Sequence, residues 1–513
     1  MIEIDGKTLD LNHIAAVARG GVQIAIAPSA RVRMQESQRA AAATASARPF
    51  YGRSTGVGAN RSIPLDQTAE STKNHGLNLL RSHAVDAGRT LEPEVVRAML
   101  VVRLSQLAAG YSGIDPGVAD ALVAMINADS LPEVREFGGI GTGDLPALAG
   151  TALTLMGERK TANCSEIPSL IESWAVENAL PFLSSNALTI GQATLAYLKL
   201  ATVFENLRSV SALSFVALSG NPEAFSEEVG RAADSVEITE AARSLRALVE
   251  GHGRPARIQD PYCLRTLPLV IGSVSEDLNA LKATLEHLVV AGQENPLVYG
   301  SVADGTNDVA HHGLFEMTIL TKRVDAVQLA LGAACATVIR RISLLCDPEY
   351  TNLNRFLAGD DKGQSGVMML EFVAAAAAAT IRAGAPASQQ TIAVSLGAED
   401  DASFAPVATS RLESTIRAMT TLVAIEFICS SRALRLQDRS PEEFTNPTFR
   451  KMLEAGFSLP AAFQDRDLRP DIDAASRLVL SPVKHLVPAH SAATTAVSVS
   501  AHQNRPSVAR FLS

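Results

Sequence analysis

Glu92-Pro-Glu-Val-Val-Arg-Ala-Met-Leu-Val-Val-Arg-Leu-Ser-Gln-Leu-Ala-Ala109 decides the fold class. Its apolar residues Val95, Val96, Met99, Leu100, Val102, Leu104 and Leu107 recur mostly at the three- and four-residue intervals that gather side chains on a helix. Pro93 stands where a first turn tolerates a missing N–H, and Gly110 follows as a terminator. Comparable patterns run through about 188–218, 273–290, 312–345, 365–382 and 410–436, several of them longer than an average globular helix. They predict an all-α protein, a bundle of long antiparallel helices.

Composition agrees with that reading. Of 513 residues 47% are hydrophobic but only 4% aromatic, and alanine runs such as Ala374 to Ala379 favour closely packed helices over an aromatic-rich β core. The net charge of -9 is modest for this length and no Lys/Arg block occurs, which points away from nucleic acid and anionic membranes and towards a small-molecule partner. Five cysteines, Cys164, Cys263, Cys335, Cys346 and Cys429, are an odd number without CxxC spacing, so neither a disulfide framework nor a metal site is expected. The opening Met1-Ile-Glu-Ile-Asp-Gly-Lys7 carries acids where a secretory signal needs basic and then apolar residues. No uncharged apolar run reaches the roughly 18 residues of a membrane span, and the expectation is a soluble cytoplasmic protein.

No linker composition divides the chain. Residues 1–200 read as an N-terminal helical region with two irregular loops, and 201–513 as the central long-helix bundle with a C-terminal helical region, together one continuous unit. The last thirty or so residues, with Pro482, Pro488 and a Ser/Thr/Ala run, read as a weakly structured tail or a short closing segment. The irregular loops are 48–64, rich in Gly, Arg and Ser, and 137–146, with four glycines in ten residues. Such glycine density means positive φ or close backbone approach, as a tightly turned active-site loop requires.

Chemistry-bearing residues cluster in a few short stretches. They are Tyr51-Gly-Arg-Ser-Thr-Gly-Val-Gly58, Asn78-Leu-Leu-Arg-Ser-His-Ala84 with Gly110-Tyr-Ser-Gly-Ile114, and Gly138-Gly-Ile-Gly-Thr-Gly-Asp-Leu145. Further on come Asn186-Ala-Leu-Thr-Ile-Gly191, Arg257-Ile-Gln-Asp-Pro-Tyr-Cys-Leu-Arg265, Ala310-His-His-Gly313 and Leu396-Gly-Ala-Glu-Asp-Asp401. In this order, over roughly residues 10 to 480, they resemble the motifs of the histidine and phenylalanine ammonia-lyase family. The run 257–265 is the most specific match.

That resemblance implies a fumarase/aspartase-like helical homotetramer with active sites built from several subunits. It implies Tyr51 as an acid/base on a mobile lid, Arg265 as a bidentate clamp on the substrate carboxylate, Tyr262 near β-proton removal and Gln259 at the reacting centre. Ser82 and His83 form the polar pair that accompanies imidazole substrates in this family, and Glu399 stands where histidine-specific forms keep a glutamate facing the imidazole. Asn186 is a weaker match for a substrate-binding asparagine, and His311 replaces a phenylalanine that packs against the prosthetic ring.

The ring itself is the family's electrophile, a methylidene-imidazolone that an Ala-Ser-Gly tripeptide forms by cyclising and losing water. Here the best alignment deletes the serine; without a gap, Gly141, Thr142 and Gly143 stand in the tripeptide's place, and dehydration of Thr142 would give a methyl-substituted, more hindered ring. No cofactor is therefore expected. The implied function is a carbon–nitrogen lyase eliminating an amine from histidine or a histidine-like amino acid to an α,β-unsaturated acid. One alternative is a lyase without the ring that releases trimethylamine from an imidazole betaine such as ergothioneine, or a related cyclase. Another is a catalytically silent homologue, against which the retained polar set Tyr51, His83, Tyr262, Arg265 and Glu399 counts.

Overall fold

A computed structural model describes residues 1–66, 68–162, 170–361 and 363–485. Cys164 and the C-terminal tail lie outside them. The chain opens with β1 (Ile2–Ile4), α1 (Leu11–Ala18) and β2 (Ile24–Ile26), the two strands pairing in parallel, followed by α2 (Pro28–Ala47) and α3 (Ala69–His83). Next come β3 (Ala87–Thr90), α4 (Pro93–Ala108), α5 (Pro116–Asn127) and β4 (Arg135–Phe137), which returns antiparallel to β3. Then follow α6 (Leu145–Leu155), α7 (Val176–Leu183), α8 (Ala187–Ala217), α9 (Glu227–Ala232), α10 (Val236–Leu248), α11 (Tyr262–Arg265) and α12 (Leu267–Leu288). A hairpin of β5 (Leu297–Tyr299) and β6 (Asp308–Ala310) leads to α13 (Thr318–Leu345), α14 (Pro348–Thr351), α15 (Met368–Arg382), α16 (Ala405–Leu436), α17 (Pro447–Phe457) and α18 (Arg469–Val479).

α8 and α16 pack on each other at the centre, with 31 and 32 residues and so about 45 Å of axis each. Most of α8 is buried around its whole circumference, as a helix must be when other helices cover every side. α4 differs from its expectation in the same way. The spacing suggested one apolar face, yet from Val95 to Ala108 every residue except Arg97 is buried, Arg103, Ser105 and Gln106 included. α12 starts at Leu267, ahead of the expected 273, because Pro268 supplies a first turn. α13 starts at Thr318, since 312–317 is spent on a loop. The division near residue 200 falls inside α8.

Two ion pairs sit inside the bundle, Arg103–Glu294 at 3.0 Å and Arg341–Glu426 at 2.6 Å. Cys263, Cys335, Cys346 and Cys429 are free and buried. By length and composition, segment Val176–Ala217, helix α13 and segment Met368–Gln389 could each cross a membrane; the first is 72% buried in the bundle, the last 22%. On α15 the side chains of Met369, Phe372 and Val373 are exposed.

Candidate active site

Between Phe137 and Leu145 the chain makes the glycine loop. Gly141 and Gly143 have φ of +92° and +113°, a region that side chains with a Cβ avoid. The Gly141 carbonyl accepts from Ser403 Oγ at 3.1 Å and the Ile140 carbonyl from the Phe404 amide at 2.8 Å. The Gly143 amide donates to Asn186 Oδ1 at 3.1 Å, and that of Asp144 to the Ser185 carbonyl at 2.7 Å. The residues capping α6, α8 and α16 are Asp144, Asn186 and Phe404, so three helices begin at this loop. Helix N-termini present unpaired amides and a partial positive charge, and the loop is therefore set in surroundings that favour an anion.

Asp144 fastens the loop to α8. Its two carboxylate oxygens accept from the Thr189 amide at 2.8 Å and the Thr189 hydroxyl at 2.9 Å. Burial pushes the carboxyl up to about 6 in spite of those bonds. A carboxyl raised in the folded state holds a proton that the unfolded chain has already lost, so stability falls as pH rises from about 4 to about 6, by roughly 3 kcal/mol. In Asp144→Asn that loss is expected to vanish. Melting temperatures at pH 4.5 and 7 should shift in the variant's favour at the higher pH; a constant gap between variant and wild type would refute the assignment.

Asn186 is fully buried and every polar group on it is engaged. Besides holding Gly143, its side-chain amide donates to the Phe315 carbonyl, and its backbone amide donates to Gln293 Oε1 at 2.9 Å. Behind it lies a buried polar network. Gln106 donates to Gln293 Oε1 at 3.3 Å, Ser185 Oγ donates to Gln106 Oε1 at 2.5 Å, and Arg103 reaches both Gln106 and Glu294. The Gln293 amide donates to the second Glu294 oxygen at 3.0 Å. Sequence reading missed Gln293, Glu294, Ser403 and this role of Arg103. The available signal was the polar residues Arg103, Ser105 and Gln106 inside an otherwise apolar helix.

The segment 311–315 joins this network to the loop that carries Tyr51. His312 donates from Nε2 to the Glu294 carbonyl at 2.6 Å and accepts the Leu314 amide on Nδ1 at 2.9 Å, which fixes its tautomer. His311 Nε2 accepts from the Tyr51 amide at 3.4 Å, and the two rings stand edge to face with centroids 6.4 Å apart. Burial, with Arg48 and His312 nearby, holds the His311 imidazole below its usual range, so it is neutral at neutral pH. Tyr51 Oη accepts from the Gly58 amide at 2.8 Å. Burial raises the phenol, Glu399 adds to the rise, and the Gly58 N–H opposes it. Glu399 is itself raised by burial and by neighbouring Asp400. Arg53 anchors the loop that carries Tyr51: buried, it donates to the carbonyls of Gly113 at 3.0 Å and Glu177 at 3.2 Å, and burial pushes it down to about 10.

His83 ends α3, its Nδ1 2.8 Å from the Leu79 carbonyl and 3.0 Å from Ser82 Oγ. Beside the glycine loop lies a cavity of about 420 Å³ whose wall includes Asp86, Arg89, Gly138, Asp144 and Arg411. Tyr51, His311, Asn186, the loop 141–143 and Glu399 thus occupy one neighbourhood.

Gln259, Tyr262 and Arg265 do not join them. Gln259 and Tyr262 are exposed, and the Arg265 guanidinium stacks 4.0 Å over the Tyr262 ring. The reason is visible in α13. Thr321, near its start, bonds the Ser403 carbonyl beside the glycine loop; Arg341, twenty residues on, bonds the Cys263 carbonyl in α11. Twenty helical residues separate the two by about 30 Å.

A glycine loop held where α6, α8 and α16 begin, and joined through segment 311–315 to Tyr51, is the candidate centre of a helical-bundle enzyme. Residues 9–455 match the model of the aromatic amino acid lyase family, and the chain belongs to that family. Histidine ammonia-lyase from Paracidovorax citrulli is 32% identical over 490 residues, covering 90% of this chain and 93% of that protein. The enzyme of that name from Geobacillus thermodenitrificans is 30% identical over 92% of this chain and 96% of its own. Among solved structures, histidine ammonia-lyase from Trypanosoma cruzi superposes with TM-score 0.81 at 23% identity, covering 99% of each chain. The ergothioneine-degrading ergothionase from Treponema denticola does so with TM-score 0.84 at 22% identity, over 93% of this chain and 98% of that one. At those identities the structures share the fold.

Proposed function

We propose that the protein is a carbon–nitrogen lyase that eliminates an amine from histidine or a histidine-like amino acid. In the reaction a base takes a β-proton, the Cβ–H electrons form the new double bond, and the amine leaves with the Cα–N pair to give an α,β-unsaturated acid. The observation that carries the reading is the joining of Tyr51, His311, Asn186 and the glycine loop into one neighbourhood near Glu399. Tyr51, with its phenol raised, is protonated at neutral pH. It becomes a base when a cation lies beside it, and the substrate ammonium is such a cation. Ser82, His83 and Glu399 take the imidazole, while Tyr262, Gln259 and the Arg265 clamp come from a second copy, since their own chain holds them about 30 Å away. A homotetramer acting in the cytoplasm fits this sharing, the open apolar side of α15 and the buried free cysteines.

The second reading is that the leaving group is trimethylamine, taken from an imidazole betaine without the methylidene-imidazolone. What favours it is the loop. No serine stands between Phe137 and Asp144, and a Cβ on Gly141, which aligns without a gap with the tripeptide's alanine, would lie 2.0 Å from Ser403 Oγ. Of residues 138–143 only Thr142 carries a hydroxyl that could be lost in the serine's place, and the ammonia reading rests on it. A quaternary amine departs neutral and needs no electrophile.

An ultraviolet progress assay with L-histidine and with its trimethylated betaines, identifying the amine released, tests both readings. The conjugated acrylate with ammonia from histidine supports the first, and trimethylamine alone supports the second. No acrylate from any of them would overturn both. Intact-mass measurement is expected to give the unmodified chain; a loss of two waters would show that the loop cyclises after all.

A further inference from the structure

We infer that Ser395 is a positioning residue that seats the lid carrying Tyr51, and that the same turn sets Glu399. The inference rests on the reading of Tyr51 and Glu399 as site residues. Segment 394–399 is a closed turn, with the Val394 amide donating to the Glu399 carbonyl at 2.7 Å and the Glu399 amide to the Val394 carbonyl at 3.3 Å. At its tip Ser395 and Leu396 have φ of +54° and +55°, two successive non-glycine residues in the left-handed region. That conformation is costly for residues with a Cβ, and such strain persists where surrounding contacts hold it. Leu396 is 97% exposed and contributes no packing that would explain it.

What the strained tip does is reach the lid. Ser395 Oγ accepts the Ala59 amide at 3.1 Å. A Cβ on Gly58 would lie 2.9 Å from the same oxygen, so glycine is required there by close approach as well as by its φ of +56°. The adjoining amide, that of Gly58, is the donor to Tyr51 Oη at 2.8 Å. One short relay therefore runs from the base of the turn, where Glu399 stands, through Ser395 and the Gly58–Ala59 turn to the phenol. The lid is closed on its other side by pairing of Thr55 with Pro64, so Ser395 is its tie to the 394–399 turn.

Hydrogen exchange on the full-length protein without substrate tests this, comparing wild type with Ser395→Ala and Ser395→Gly. The alanine keeps the backbone strain and removes the hydroxyl, while the glycine removes both. Both variants are expected to exchange about ten-fold faster over residues 56–60, as loss of one hydrogen bond implies, with α13 unchanged. Turnover of whichever amino acid the enzyme accepts should fall mainly in kcat, because Tyr51 is what becomes misplaced. Unchanged exchange in Ser395→Ala would overturn the inference. So would wild-type exchange in Ser395→Gly, since that variant also lacks the hydroxyl that accepts the Ala59 amide. If no amino acid is turned over, the functional reading fails while the exchange result still decides the role of Ser395.

Discussion

Two inactive variants, mixed, are expected to regain activity. Tyr51→Phe loses the acid/base and Arg265→Ala loses the carboxylate clamp, so each alone should fall by orders of magnitude, the second through about 3–5 kcal/mol of lost charge pairing. The two side chains lie towards opposite ends of α13 in one chain, so the proposed site draws them from different copies. Co-refolding the variants at equal ratio then yields some sites with both intact residues, up to about a quarter of the total by random pairing in a symmetric oligomer. Activity assays on the mixture, beside each variant refolded alone, read this directly. If the mixture stays at the level of its parents, sharing of the site between copies is wrong, and Arg265 loses its assigned role.

The second large effect concerns stability. Glu294→Ala is expected to cost about 3–5 kcal/mol, because it leaves the Arg103 guanidinium, which has no exposed surface, without its counter-charge. Burial already holds that guanidinium below its ordinary range, and Glu294 is what opposes the fall. The substitution also frees the Gln293 amide, which loosens the anchor of Asn186 and hence of Gly143. Replacing both charges, as Arg103→Met with Glu294→Leu, should recover most of the stability, since well-packed apolar residues often match a buried ion pair. It should not recover turnover, because the polar scaffold behind the loop is gone. Thermal melts and kinetics on the single and double variants check both halves; a single variant that melts like wild type would show that Arg103 finds enough compensation in the carbonyls of Pro181 and Phe182.

Helical periodicity is local, which is why the long helices were legible in the sequence to within a few residues. The errors fell where a proline moves a helix start, at Pro268 in α12 and Pro406 in α16, or where a loop takes over a helical-looking stretch, at 312–317. The irregular loops 48–64 and 137–146 were legible because glycine marks unusual backbone directly. The scaffold behind them was not. Gln106, Gln293 and Glu294 are brought together across nearly two hundred residues of sequence, and nothing near any one of them announces the other two. The distance between Arg265 and Tyr51 was equally hidden, because motif order carries no length; only α13, with a bond near each end, measures it.

α16 gives that measurement a mechanical meaning. Its first residues lie against the glycine loop through Phe404, and far along it Glu426 grips the Arg341 that holds α11. One rigid rod thus bears on the glycine loop at its head and braces α11, which carries Arg265, towards its foot. In an assembly that shares its sites as proposed, such rods would be loaded in series, and a displacement at one centre would be handed on to its neighbour as a change of span rather than absorbed where it arises.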